Sequence, residues 1–97
     1  MVAINGYLVD GQTQAGVNSS GLIVRLNGVV KQIGVSVDSD RIPTDGILYQ
    51  WYNDGVAIEG ATESTYTATV SGIFKVIVTN TYNTDTISDE SYNFIVL

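Results

Sequence analysis

The stretch YQWYNDGVAIEGATESTYTATVSGIFKVIVTN runs from Tyr49 to Asn80 and contains three segments that alternate at period two. The first begins two residues before the stretch: Ile47, Tyr49 and Trp51 face one way and Leu48, Gln50 and Tyr52 the other, as a half-buried strand requires. It runs into Asn53, then Asp54-Gly55, a dipeptide that favours the tight turn of a hairpin. In the second, Tyr66, Ala68 and Val70 alternate with Thr65, Thr67 and Thr69, a β-branched run suited to a pleated surface. Ser71-Gly72 marks a turn, and Phe74, Val76 and Val78 form the inward set of the third segment. No apolar stretch anywhere in the chain keeps helical spacing for three turns, so strands are predicted throughout.

On the N-terminal side, Ile33, Val35 and Val37 alternate with Gly34, Ser36 and Asp38, another half-buried strand. The polar segment from Asp38 to Gly46 then reads as a loop. Leu22, Val24 and Leu26 predict a further strand, and Asn27-Gly28 a turn folding it back onto Val29 to Ile33. On the C-terminal side, Asn80 to Asp85 reads as a loop and Tyr92, Phe94 and Val96 as a last strand. Six or so short strands at this spacing favour a two-sheet sandwich over a barrel. Residues 1–20, rich in Gly, Gln and Asn, read as an N-terminal arm or an extra hairpin, with one domain over 21–97.

The totals agree with one all-β domain. Ninety-seven residues suffice for a single core. Apolar residues make up 44% and charged ones only 14%, so Thr, Ser, Asn and Gly must supply much of the polar surface. A net charge of −6, with Arg25, Lys31, Arg41 and Lys75 scattered, argues against a nucleic-acid partner, whose phosphates need clustered cations. No run approaches the eighteen or so apolar residues of a membrane helix, and MVAINGYLVDGQ has neither the basic flank nor the apolar block of an export signal. The absence of Cys removes disulfides and thiolate metal sites together and is compatible with a reducing compartment.

Trp51, Asp54-Gly55, Gly60-Ala61-Thr62, Tyr66 and Gly72-Ile73-Phe74-Lys75-Val76 occur in the order found in cysteine-less immunoglobulin-like domains of bacteriophage virions and bacterial surface proteins. The chain resembles that family over about a third of its length directly. The resemblance implies an immunoglobulin-like sandwich of about seven antiparallel strands, with Trp51 buried between the sheets and Val37, Tyr66, Phe74 and Val76 as core signature. It also implies that Val37 and Val76 occupy the cysteine slots of antibody-type domains, so packing must replace a bridge worth about 2–4 kcal/mol. Phe74 falls at the tyrosine-corner position and lacks its hydroxyl. The spacing from Trp51 to Val76 leaves no room for the extra strands of variable-type domains.

Little in the composition does chemistry. Without His or Cys the usual neutral-pH base and the usual nucleophile pairings are missing, and no enzyme is expected. The acids fall mainly in turns, where Asx hydrogen bonding and solvation explain them. Asp38, Asp40 and Asp45 share one loop and are the candidate calcium ligands, without the spacing of an EF-hand. Asp85, Asp89 and Glu90 form a second acidic cluster. No cofactor is expected. Tyr52, on the opposite face from Trp51, and Tyr82, in the loop after the Phe74 strand, are the aromatic candidates for a contact surface. Ile73 and Ile77 alternate outward from Phe74 and Val76 and are the aliphatic ones.

The expected function is that of a bacteriophage virion structural protein, a capsid decoration protein displaying its sandwich outward and assembled in the host cytoplasm. The expected partner is a capsid or tail protein, with weak glycan or cell-surface contact strengthened by many copies. Three observations lead there: the resemblance, the missing export signal, and a chain running from Met1 to a final strand at Leu97. The alternative is a spacer or adhesion module of a secreted bacterial surface protein or of a polysaccharide-active enzyme.

Overall fold

The structure is a computed structural model and describes residues 1–40 and 46–97. Two sheets face each other as an all-β sandwich without a cysteine. The described residues form ten strands: β1 (Val2–Val9), β2 (Gln12–Thr13), β3 (Leu22–Val24), β4 (Lys31–Ser39), β5 (Ile47–Asn53), β6 (Val56–Ala57), β7 (Thr65–Ala68), β8 (Gly72–Tyr82), β9 (Asp85–Glu90) and β10 (Phe94–Val96). One sheet has the order β2-β1-β4-β7. The other has the order β3-β10-β8-β5-β6, with β9 paired to β8.

The alternating sets lie as their spacing predicts except at their ends, where Val70 is exposed and Tyr92, also exposed, precedes β10 and does not belong to it. Ile33 and Val35 of β4, Trp51 of β5, Ala68 of β7, and Phe74, Val76 and Val78 of β8 are buried, joined by Phe94 and Val96 of β10. Val37 and Tyr66 are half-buried and pack against that cluster. Val70 lies past the end of β7 and is exposed. Six rings form an unbroken series through the sandwich: Tyr92, Tyr7, Phe94, Trp51, Tyr66 and Phe74, with successive centroids 5.5–6.1 Å apart. Stacked and tilted aromatic pairs at such distances add to simple burial.

Four features differ from the sequence reading. The strands outnumber the seven or so expected, because β2 and β6 are two-residue edge pairings too short to show periodicity and β9 pairs with the far end of β8. One pair, β3 with β10, is parallel. The Asn27-Gly28 turn exists, with both residues at positive φ and Val29 N–H donating to the Leu26 carbonyl at 2.9 Å. It does not fold β3 onto β4, because β3 pairs with β10 in the other sheet and the turn carries the chain across. The loop expected from Asn80 to Asp85 shrinks to Asn83-Thr84, since β8 and β9 pair up to Tyr82 and Asp85.

Residues 1–20 supply β1 and β2, joined by a tight turn at Asp10-Gly11 with both residues at positive φ. β1 pairs with β4 from Val2↔Ser39 to Val9↔Ile33, with one bulge between Ile4 and Gly6. Val2 is buried, and Ile4, Tyr7 and Val9 pack on the core, so the packing has no break at residue 20.

Candidate functional site

The outer face of the six-stranded sheet gathers most of the residues picked out as contact candidates. Alternation along β8 turns Phe74, Val76 and Val78 inward and Ile73, Lys75, Ile77 and Thr79 outward. Register then aligns neighbours. Ile73 lies opposite Ile95 of β10, and Ile95 opposite Ile23 of β3, giving a row of three isoleucines across three strands. Ile73 is 47% exposed and Ile23 57%. Cross-strand β-branched neighbours of this kind stabilise the pleat, yet leave an apolar strip facing outward.

Next along the sheet, Lys75 lies opposite Tyr52. Its ammonium is 2.6 Å from Glu90 Oε1 and 5.9 Å from the centre of the Tyr52 ring, an ion pair and a cation–π contact on one cation. Beyond it a shallow groove is lined by Leu48, Gln50, Tyr52, Thr62, Ile77 and Thr79. Gln50 is not free there, because its amide donates to the Trp51 and Ile58 carbonyls at 2.9 and 2.8 Å. Tyr52 and Ile77 therefore share a groove, and Ile73 belongs to the neighbouring isoleucine row. Tyr82 stands apart. It ends strand β8 rather than lying in a loop, on the alternate side from Ile73 and Ile77. Ile23 and Ile95 are the outward alternates of two strands that the sequence does show, but they were missed because their alignment with Ile73 depends on pairing between distant segments.

Three of the acidic side chains, Asp10, Asp54 and Asp89, accept hydrogen bonds from backbone N–H groups. Asp10 accepts from Gln32 N–H at 2.9 Å, and that bond, aided by Lys31, holds its carboxyl below the usual range. Asp54 accepts from Ile73 N–H at 3.0 Å. Asp89 accepts from Ile4 N–H at 2.8 Å, tying β9 to β1 of the opposite sheet beside the bulge. With Glu90 paired to Lys75 and Asp85 also engaged, the second acidic cluster is occupied with structure. Asp40 meets the Met1 amino group, Asp38 is exposed at the end of β4, and Asp45 lies outside the described residues. Among the described residues no group of three or more carboxylates converges as a metal site would require.

Tyr7 joins the two sheets at the other end of the ring series. Its hydroxyl accepts from Tyr92 N–H at 2.9 Å, and its ring stacks on Tyr92 at 5.9 Å. Burial raises its pKa above the ordinary tyrosine value, against the lowering effect of that hydrogen bond.

Compared with protein-family models, curated proteins and solved structures, the chain matches none.

Proposed function

We propose that this chain is a non-enzymatic virion structural protein, a bacteriophage capsid decoration protein that displays an immunoglobulin-like sandwich. Strand order supports the immunoglobulin-like part. The sheet β1-β4-β7 has the order of strands A, B and E of such domains, and β10-β8-β5 that of G, F and C, with Trp51 buried on the strand equivalent to C. The observation that carries the functional part is the isoleucine row Ile23, Ile95 and Ile73, an apolar strip on a paired and therefore rigid sheet. Such a strip suits a standing protein contact better than a turnover site, which needs convergent titratable groups. The row is the docking surface for a capsid subunit, and the opposite sheet faces outward.

Co-sedimentation of the purified chain with isolated capsids tests this. Binding is expected, and Ile73→Ser should weaken it without lowering the melting midpoint by more than a few degrees. Failure of the unaltered chain to sediment with any capsid or tail overturns the proposal.

A further inference from the structure

We infer that Asn27 is the site at which this chain deamidates spontaneously. The step needs no enzyme. The backbone nitrogen of Gly28 attacks Asn27 Cγ, a C–N bond closes a five-membered succinimide, the Gly28 amide proton is lost, and the side-chain nitrogen leaves as ammonia. Water then opens the ring at either carbonyl, leaving aspartate or isoaspartate at position 27. The reaction is fastest where the following residue is glycine, because no side chain shields the attacking nitrogen.

Two Asn-Gly pairs occur in the chain, Asn5-Gly6 and Asn27-Gly28. Their preceding residues, Ile4 and Leu26, are both bulky aliphatics, so the fold and not the local sequence must separate them. Asn5 lies in the bulge of β1, between Ile4 and Gly6, which pair with Val37 and Ser36 of β4. Its Oδ1 accepts a hydrogen bond from Ser36 Oγ at 2.8 Å. For the ring to close there, that bond must break and the central ladder of the four-stranded sheet must open. Asn18, which precedes the small Ser19, is held as well, its Oδ1 accepting from Ser20 N–H at 2.9 Å.

Asn27 has none of these restraints. It is exposed, and among the described residues its side chain makes no hydrogen bond. The turn around it is closed by the single bond from Val29 N–H to the Leu26 carbonyl. Asn27 itself sits at φ 52°, a left-handed conformation that a residue with a Cβ leaves readily once the turn opens. Local opening there costs far less than opening a paired strand. The isoaspartyl product routes the main chain through the side-chain carboxyl. It thereby lengthens the crossover between β3 and β4 by one backbone atom and adds a negative charge.

The full chain is incubated at neutral pH and sampled over time, with peptide mass mapping for the conversion and isoaspartyl methyltransferase labelling for the product. Conversion at Asn27 is expected to be at least about tenfold faster than at Asn5. In urea that unfolds the chain, the two rates should converge. Comparable rates at the two positions in the folded chain, or no conversion at Asn27, overturn the inference. So does a ratio that stays the same in urea, which would place the selectivity in local sequence.

Discussion

Trp51 is fixed on every side that can be fixed. Its ring is fully buried and meets Phe94 at 5.5 Å and Tyr66 at 6.1 Å, and its indole N–H donates to the Glu63 carbonyl at 2.8 Å. Trp51→Ala removes the middle of the ring series and should cost about 3–5 kcal/mol in urea melts, enough to leave a bridge-free domain of this size largely unfolded. Ser91 is a smaller instance of the same logic. Its buried hydroxyl accepts from Val76 N–H at 2.9 Å, where β9 gives way to β10 and the ladder along β8 lapses. Ser91→Ala orphans that amide and should cost about 1–3 kcal/mol by the same measurement. Tyr7 adds a dependence on pH. Because its folded pKa lies above that of the unfolded chain, the folded state holds the proton longer, so its contribution is complete below about pH 10 and is lost as pH rises through the folded value. Tyr7→Phe should flatten the alkaline fall in stability, as read from urea midpoints across that range.

Among elements, β4 and β7 approach each other closely at Gly34. A Cβ on Gly34 would lie 2.8 Å from the Thr65 methyl and 3.1 Å from the Ser64 carbonyl oxygen, so Gly34→Ala must push β7 outward and should destabilise by about 1–3 kcal/mol. β4 and β8 show why part of the fold was legible in the sequence. Ile33, Val35 and Val37, or Phe74, Val76 and Val78, are long enough to display period two and bury one face, so their inner side can be read without knowing their partners. Leu22 to Val24 alternates too, but its partner cannot be read from that. Its parallel pairing with β10, and the crossing made by Asn27-Gly28, follow from which sheet has a vacant edge, and that is decided by distant residues. The candidate surface divides the same way. Ile73 and Ile77 declare themselves by alternation along β8, whereas Ile23 and Ile95 complete the row only through register. The Asp89 contact with Ile4 N–H and the Tyr7 contact with Tyr92 N–H each join residues 85 positions apart, beyond any local pattern.

For the molecule as a whole, one core serves both sheets, with Val2 at its rim and Ile4, Tyr7 and Val9 packed on it. Deletion of residues 1–20 would strip β1 from β4 and remove a ring from the series. It should yield a chain without a cooperative urea transition rather than a stable smaller domain, checked by tryptophan fluorescence and far-ultraviolet circular dichroism. A cooperative transition in the shortened chain would show β1 to be dispensable.

The parallel pair has a consequence for how the protein is made. β3 docks on β10, and beyond it Leu97 N–H donates to the Val24 carbonyl while Leu26 N–H donates to that of Leu97. A ribosome delivers Leu22 to Val24 well before Phe94 to Val96, their sheet partner among the described residues, so this edge stays unzipped until β10 has been made. Closing so long a loop late is entropically slow, and the newborn chain must therefore pass through a species in which β3 is a bare strand edge.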